Sequence, residues 1–233
     1  LGIFTNLGLA HQAHFPDLET KGREKLCLFN DAKKLVVCKD QALLYRLAST
    51  FAQEHGVTLV SWSRTGEEAD WQVTLSEGKD VTLQDREGHI YRGVLPASDA
   101  ASVENALHTL VASATLGMPM DEALRALENV RTVAMRLERR EGVNGLALIN
   151  DSYSCDLESL EAALGFLCQQ AGGANRGLIL SDIDQSGLSP SELYGRVRAL
   201  LEKYGVELLV GIGEEIRALV SFYPKAFFSP TPE

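Results

Sequence analysis

No run of 18 uninterrupted apolar residues occurs in this 233-residue sequence, and no basic-then-apolar leader ends in a small-residue cleavage site. We therefore expect no membrane span and no secretory signal, and a cytoplasmic protein. Cysteine is sparse, and Cys27, Cys38, Cys155 and Cys168 show no Cys-x-x-Cys spacing. That excludes the common zinc and disulfide frameworks and leaves four reduced thiols, mostly core. Positive charge is in deficit, because 22 Lys and Arg against 32 Asp and Glu leave a net charge of −10. Such a balance repels a phosphate backbone unless cations gather in one patch, and the densest group, Arg136, Arg139 and Arg140, is diluted by Glu138 and Glu141. No nucleic-acid partner is expected. Missing too are G-x-x-x-x-G-K-[ST], G-x-S-x-G and H-E-x-x-H, internal repeats and low-complexity tracts. The chain opens at Leu1, without an initiator methionine, straight into an apolar run, so an excised piece of a longer protein is the expectation.

What is present is ordinary globular composition, 45% apolar and 23% charged, over a length that suits two modules. Residues 1–6 read as a buried strand, and the three- and four-residue spacing of apolar side chains over 16–31 predicts a helix with Pro16 in its first turn. Strand 35–38, helix 41–55 and strand 57–62 follow, an alternation that signals a layered α/β domain with mainly parallel strands. Period-two alternation over 69–96, with turns at Glu77-Gly78 and Glu87-Gly88, predicts an antiparallel meander. Ser98-Asp99 should cap a helix from Ala101 to about Thr115, and another opens at Met120-Asp121 and ends near Val130. A second module begins past a boundary near 131–135. Its strands are expected at 146–150, 177–180 and 208–211, and its helices at 157–170, 190–204 and from Glu214, forming a small doubly wound sheet.

Several stretches carry candidate chemistry. TNLGLAH places Asn6 and His11 in the loop after the first strand, and Lys25 stands fourteen positions beyond His11. By itself each is a surface residue. Asn105, in the ENAL run of the long helix, stands on a stripe otherwise filled by Ala and Leu, where an amide needs partners. Asn150, Asp151, Ser152 and Tyr153 end a strand, the place where loop tips face a ligand crevice, and they serve a site or a turn equally well. Residues 211–216, GIGEEI, mimic a dinucleotide fingerprint. They lack its third glycine and sit on the last strand, so a tight turn explains them better than a nicotinamide site.

Taken together, TNLGLAH, the His11-to-Lys25 spacing, ENAL followed by Leu116-Gly117, and MRLERREG leading to INDSYSCDLESLEAAL resemble the Mur ligases over nearly the whole chain. The likeness is greatest to the branch that adds D-Ala-D-Ala, and within it to forms fused upstream of an alanine racemase, which share LSDIDQSG-like and LVGIGEEI-like stretches. The resemblance implies an α/β fold in which 1–132 is the C-terminal part of a central ATP-binding domain and 133–233 a truncated Rossmann-like C-terminal domain. It also implies that the Walker A loop and a UDP-sugar domain precede Leu1, and that the fragment alone is inactive. The implied activity is ATP- and Mg²⁺-dependent joining of UDP-MurNAc-tripeptide to D-Ala-D-Ala through an acyl phosphate. In it Lys25 would be carbamylated and would hold Mg²⁺ together with His11, Asn105 would meet adenine, Arg136 and Asp151 would reach the nucleotide, and Tyr153 would touch the nucleotide or the amine substrate. Pyridoxal phosphate would belong only to a fused racemase outside this chain, through which a dimer could form. Ser154 stands where the resemblance implies asparagine, and Ala101-Ser102 where it implies His-Asn. These departures keep open a non-catalytic module that scaffolds a fused racemase.

Overall fold

The computed structural model describes residues 1–8, 15–76, 79–96, 99–130, 137–184, 186–223 and 226–231. Two compact units appear, one holding Leu1–Gly8 and Pro16–Arg131 and the other Leu9–Phe15 and Thr132–Glu233.

In the first unit β1 (Gly2–Phe4), β2 (Lys34–Cys38), β3 (Thr58–Ser63), β4 (Trp71–Leu75), β5 (Asp80–Asp85) and β6 (Ile90–Val94) lie side by side in chain order. β1 to β4 are parallel, and β4, β5 and β6 form the antiparallel meander. β2 explains the layering. Its Leu35 and Val37 point to one core with Leu44, Leu47 and Phe51 of helix α2 (Ala42–His55). Its Val36 and Cys38 point to the other, with Leu107 and Leu110 of α3 (Ala100–Thr115) and Leu124 of α4 (Met120–Glu128). A strand apolar on both faces is the signature of a central parallel strand, and each fully buried Leu or Val there contributes roughly 1.5–3 kcal/mol.

Helix α1 spans Leu18–Leu26, followed by a 3₁₀ turn over Cys27–Phe29, so it is shorter than the apolar spacing over 16–31 predicts. It also begins two residues later than expected. Asp17 has extended backbone and accepts the Thr20 N–H at 2.7 Å, so it is the N-cap, and Pro16 lies before the helix. Asp99 caps α3 as expected, accepting the Ser102 N–H.

In the second unit β9 (Gly177–Ser181), β10 (Leu208–Ile212) and β11 (Phe227–Ser229) form a parallel sheet in the order β11-β10-β9. Its Leu180 and Leu209 pack with Leu160 and Leu164 of α5 (Leu157–Ala171) and Val197 and Leu201 of α6 (Pro190–Lys203). Two expectations change here. The strand at 146–150 is β8 (Ala147–Asn150), which pairs antiparallel with β7 (Glu138–Glu141) as a separate two-stranded sheet, and Leu146 and Leu148 are exposed. The helix from Glu214 is a short 3₁₀ segment, Glu215–Leu219. Among the described residues no helix is long and apolar enough to cross a membrane.

Candidate functional site at the carboxyl ends of the first sheet

In open α/β sheets, ligands sit where strands end and loops lead into helices. At that end of the first unit, the loops after β1, β2 and β3 are tied together by side chains. Gln41, the residue before α2, donates from Nε2 to the Thr5 carbonyl at 3.3 Å and to Glu104 Oε1 at 2.7 Å, and its Oε1 accepts the Leu7 N–H at 3.3 Å. Asp40 gathers the loop after β3, accepting Ser63 Oγ at 2.6 Å, Thr65 Oγ1 at 3.0 Å and the Arg64 N–H at 3.0 Å. Burial pushes the Asp40 carboxyl up, but the hydrogen bonds from Ser63, Arg64 and Thr65 outweigh it and hold it below its usual value.

His108 on α3 closes the cluster from the far side. Its Nε2 lies 3.1 Å from the Thr5 carbonyl and its Nδ1 3.2 Å from Trp62 Nε1. A carbonyl only accepts and an indole N–H only donates, so Nε2 carries the proton and Nδ1 accepts. The ring is 1% exposed, and burial, partly opposed by the Thr5 carbonyl, lowers its pKa to about 4. At neutral pH this histidine is uncharged. Glu104, half-buried beside it, is pushed above its usual value by burial, against the pull of Arg64 and Gln41.

The loop 5–8 is also held from α1. Lys21 is 1% exposed, and its Nζ donates to the Gly8 carbonyl at 2.6 Å. Burial of a lysine this complete is rare and expensive unless the ammonium is paired or neutral. Lys25, to which the resemblance implies a carbamate, is exposed in the last turn of the same helix. Asn105 is exposed as well. The buried stripe of α3 runs through Val103, Ala106, Leu107, Leu110 and Val111, so Asn105 lies off it, and its amide faces outward instead of needing partners in the core. His11 and Arg136 lie outside the described residues.

The remaining predicted residues belong to the second unit. Asp151 Oδ1 accepts the N–H of Leu137 at 3.0 Å, and Leu137 has a positive φ of 46°, which few residues other than glycine adopt. Asp151 thus pins the residue that follows Arg136 in the chain. Asn150 Oδ1 accepts the Ser152 N–H and hydroxyl, building the turn, while the Tyr153 ring is 65% exposed. The GIGEEI turn is closed from within. Asp182, after β9, accepts the N–H groups of Glu214, Glu215 and Ile216 and the Tyr194 hydroxyl. A protein carboxylate therefore fills the place a dinucleotide phosphate would need, which removes the support for a nicotinamide site there.

Among the described residues, the one cluster of metal-binding side chains is Asp85, Glu87 and His89 in the turn between β5 and β6. Asp85 there accepts the N–H groups of Glu87 and His89, so turn closure accounts for it.

No protein-family model matches the chain. Among curated proteins, it is 26% identical over 192 residues to the UDP-N-acetylmuramoyl-tripeptide–D-alanyl-D-alanine ligase of Bacillus subtilis, covering 79% of this chain and 40% of that one. The Escherichia coli enzyme of the same name is 25% identical over 144 residues, 62% of this chain and 31% of the relative. The chain thus spans well under half the length of these relatives. Among solved structures, a UDP-N-acetylmuramoylalanyl-D-glutamyl-2,6-diaminopimelate–D-alanyl-D-alanyl ligase from Acinetobacter baumannii superposes with a TM-score of 0.77 at 20% identity, over 98% of this chain and 49% of that chain.

Proposed function

We propose, on the premise that this chain is a homologue of the Mur ligases in sequence and shares their α/β fold, that it forms part of an ATP-dependent ligase of peptidoglycan precursors. The reaction is the addition of D-Ala-D-Ala to UDP-MurNAc-tripeptide in the cytoplasm. The substrate carboxylate attacks the γ-phosphate of ATP, giving an acyl phosphate and ADP. The amine of the dipeptide then attacks the acyl carbon, and phosphate leaves.

The observation that carries this reading is the buried lysine of α1, with its Nζ at the carboxyl end of the parallel sheet beside the loop that leads to His11. Carbamylation by CO2 requires a lysine amine placed where its carbamate could reach the metal. The side chain of α1 that meets this requirement is Lys21. We therefore assign the carbamate to Lys21 in place of Lys25, with His11 as its companion ligand for Mg²⁺. The bound metal supplies charge neutralisation for the phosphoryl oxygens. The protein's own part would be to hold the Lys21 Nζ beside the loop 5–8, so that a carbamate formed on it could bind the metal. Asn105, exposed on α3, is available to an adenine ring, and Arg136, Asp151 and Tyr153 are assigned to the nucleotide from the second unit.

A racemase fused after this chain, with its pyridoxal phosphate and its dimer, rests on the likeness of 180–187 and 209–216 alone. The exposed Asn105 and buried Lys21 favour the catalytic reading over a pure scaffold. The test is phosphate release by the complete gene product supplied with ATP, Mg²⁺, UDP-MurNAc-tripeptide and D-Ala-D-Ala. Release that needs all four supports the reading. Release that proceeds as well with UDP-MurNAc-alanine and D-glutamate contradicts the substrate assignment.

A further inference from the structure

We infer that His108, acting with Gln41, is a positioning residue that locks the loop after β1 to the helix carrying Asn105, through one fixed tautomer. The inference rests on the reading above for what the loop serves, and on geometry for the lock itself. Three side chains from three elements converge on residues 5–8. His108 from α3 and Gln41 from the start of α2 both donate to the Thr5 carbonyl, Gln41 also accepts the Leu7 N–H, and Lys21 from α1 donates to the Gly8 carbonyl. A surface loop that only connects two elements needs none of this, since water would satisfy those groups.

The orientation of His108 is fixed on both sides. Trp62 Nε1 donates to Nδ1 from β3, and the two rings meet edge to face with centroids 5.0 Å apart and planes at 80°. The imidazole can then offer one N–H, and that N–H goes to the loop. His108 stands one helical turn beyond Asn105 and Glu104 on α3, and Glu104 itself receives the Gln41 amide. Any shift of α3 that moves Asn105 therefore moves the donor that holds Thr5. On the proposed reading, this couples the adenine side of the site to the side bearing Lys21. On that reading, His108 and Gln41 act through the loop and not on substrate.

Two variants separate positioning from packing. His108→Leu fills the space but can neither donate to Thr5 nor accept from Trp62, whereas the amide of His108→Gln can do both. In the ¹⁵N-labelled 233-residue protein at neutral pH, His108 should show protonated Nε2 and bare Nδ1, and the Leu7 amide should be protected from hydrogen exchange. His108→Leu should speed Leu7 exchange about tenfold beyond the change seen at the central amides of β2, and His108→Gln should restore it to within about threefold of the parent. Equal acceleration of Leu7 and β2 in both variants, or the opposite tautomer, overturns the inference. A second readout extends it to the site: with ¹³C-bicarbonate, a carbamate resonance lost in Lys21→Ala should weaken in His108→Leu and recover in His108→Gln. A parent protein without that resonance refutes the carbamate reading of Lys21 and leaves the lock to be decided by the exchange data.

Discussion

At the scale of single residues, the burial of His108 has a consequence that solution measurements can read. Its pKa is about 4 in the folded protein, below that of a solvated histidine. Between pH 6.5 and 4 the unfolded chain therefore takes up a proton that the folded chain refuses, so stability falls as pH drops through that window and levels off below it. The shift corresponds to about 3 kcal/mol. Glu104 works in the opposite sense, because its raised pKa favours the folded state as its carboxyl takes up a proton. The depressed Asp40 loses its contribution only at lower pH. Urea unfolding at pH 7, 5.5 and 4.5 on the parent and on His108→Gln isolates the histidine: the parent should lose more stability across the window by about 2–3 kcal/mol, and parallel losses would refute a neutral buried His108. The same scale shows what the sequence could not reveal. Lys21 and Lys25 stand four residues apart on one short helix; the resemblance to the Mur ligases points to Lys25, whereas burial sets Lys21 apart. The distinguishing signal is Gly22, where a Cβ would come within 2.6 Å of Leu47 and 2.9 Å of Leu7, so the helix packs closest at that point and the neighbouring lysine is drawn in. Glycine in a helix without an evident cap role is a hint of such contact, but the partner surface is visible only in the fold.

At the scale of elements, the parallel part of the first sheet, the meander and the helices α2 to α4 follow from periodicity and caps, because local pattern and tertiary placement agree there. β8 departs from its expected place. Its run LALIN is apolar enough to read as buried, yet it finds an antiparallel partner in ERRE, Glu138–Glu141, a segment whose four charges give no strand signal. The turn after β10 shows the converse. GIGEEI reads as punctuation, and it is a turn held by Asp182, 32 to 34 residues earlier in the chain, in a contact no local pattern contains. Gly213 has φ of +124°, and a Cβ on it would collide with the Asp182 carboxylate. Gly213→Ala should therefore cost roughly 2–4 kcal/mol, and Asp182→Ala, which strands three N–H donors and the Tyr194 hydroxyl, a similar amount. Because both changes break the same contact, the double variant should lose much less than the two single losses combined in chemical denaturation. Full additivity would show that Asp182 does not hold this turn.

At the scale of the whole molecule, the chain contains two compact units, and of the described residues predicted for the site, Lys25 and Asn105 belong to the first and Asp151 and Tyr153 to the second. No G-x-x-x-x-G-K-[ST] loop lies within its 233 residues. Such a loop supplies the N–H groups and the lysine that cradle phosphates in the P-loop proteins. The 233-residue protein is therefore expected to show no micromolar heat of binding when titrated with ATP and Mg²⁺, and a micromolar dissociation constant would mean that these two units build a nucleotide site by themselves.

The most direct test of the central claim compares Lys21→Ala with Lys25→Ala in the complete gene product, reading ligation of UDP-MurNAc-tripeptide to D-Ala-D-Ala in the presence of bicarbonate. A buried carbamate at Lys21 predicts that ligation falls by at least about a hundredfold in Lys21→Ala and stays within about twofold of the parent in Lys25→Ala. Loss in Lys25→Ala with full activity in Lys21→Ala would contradict it.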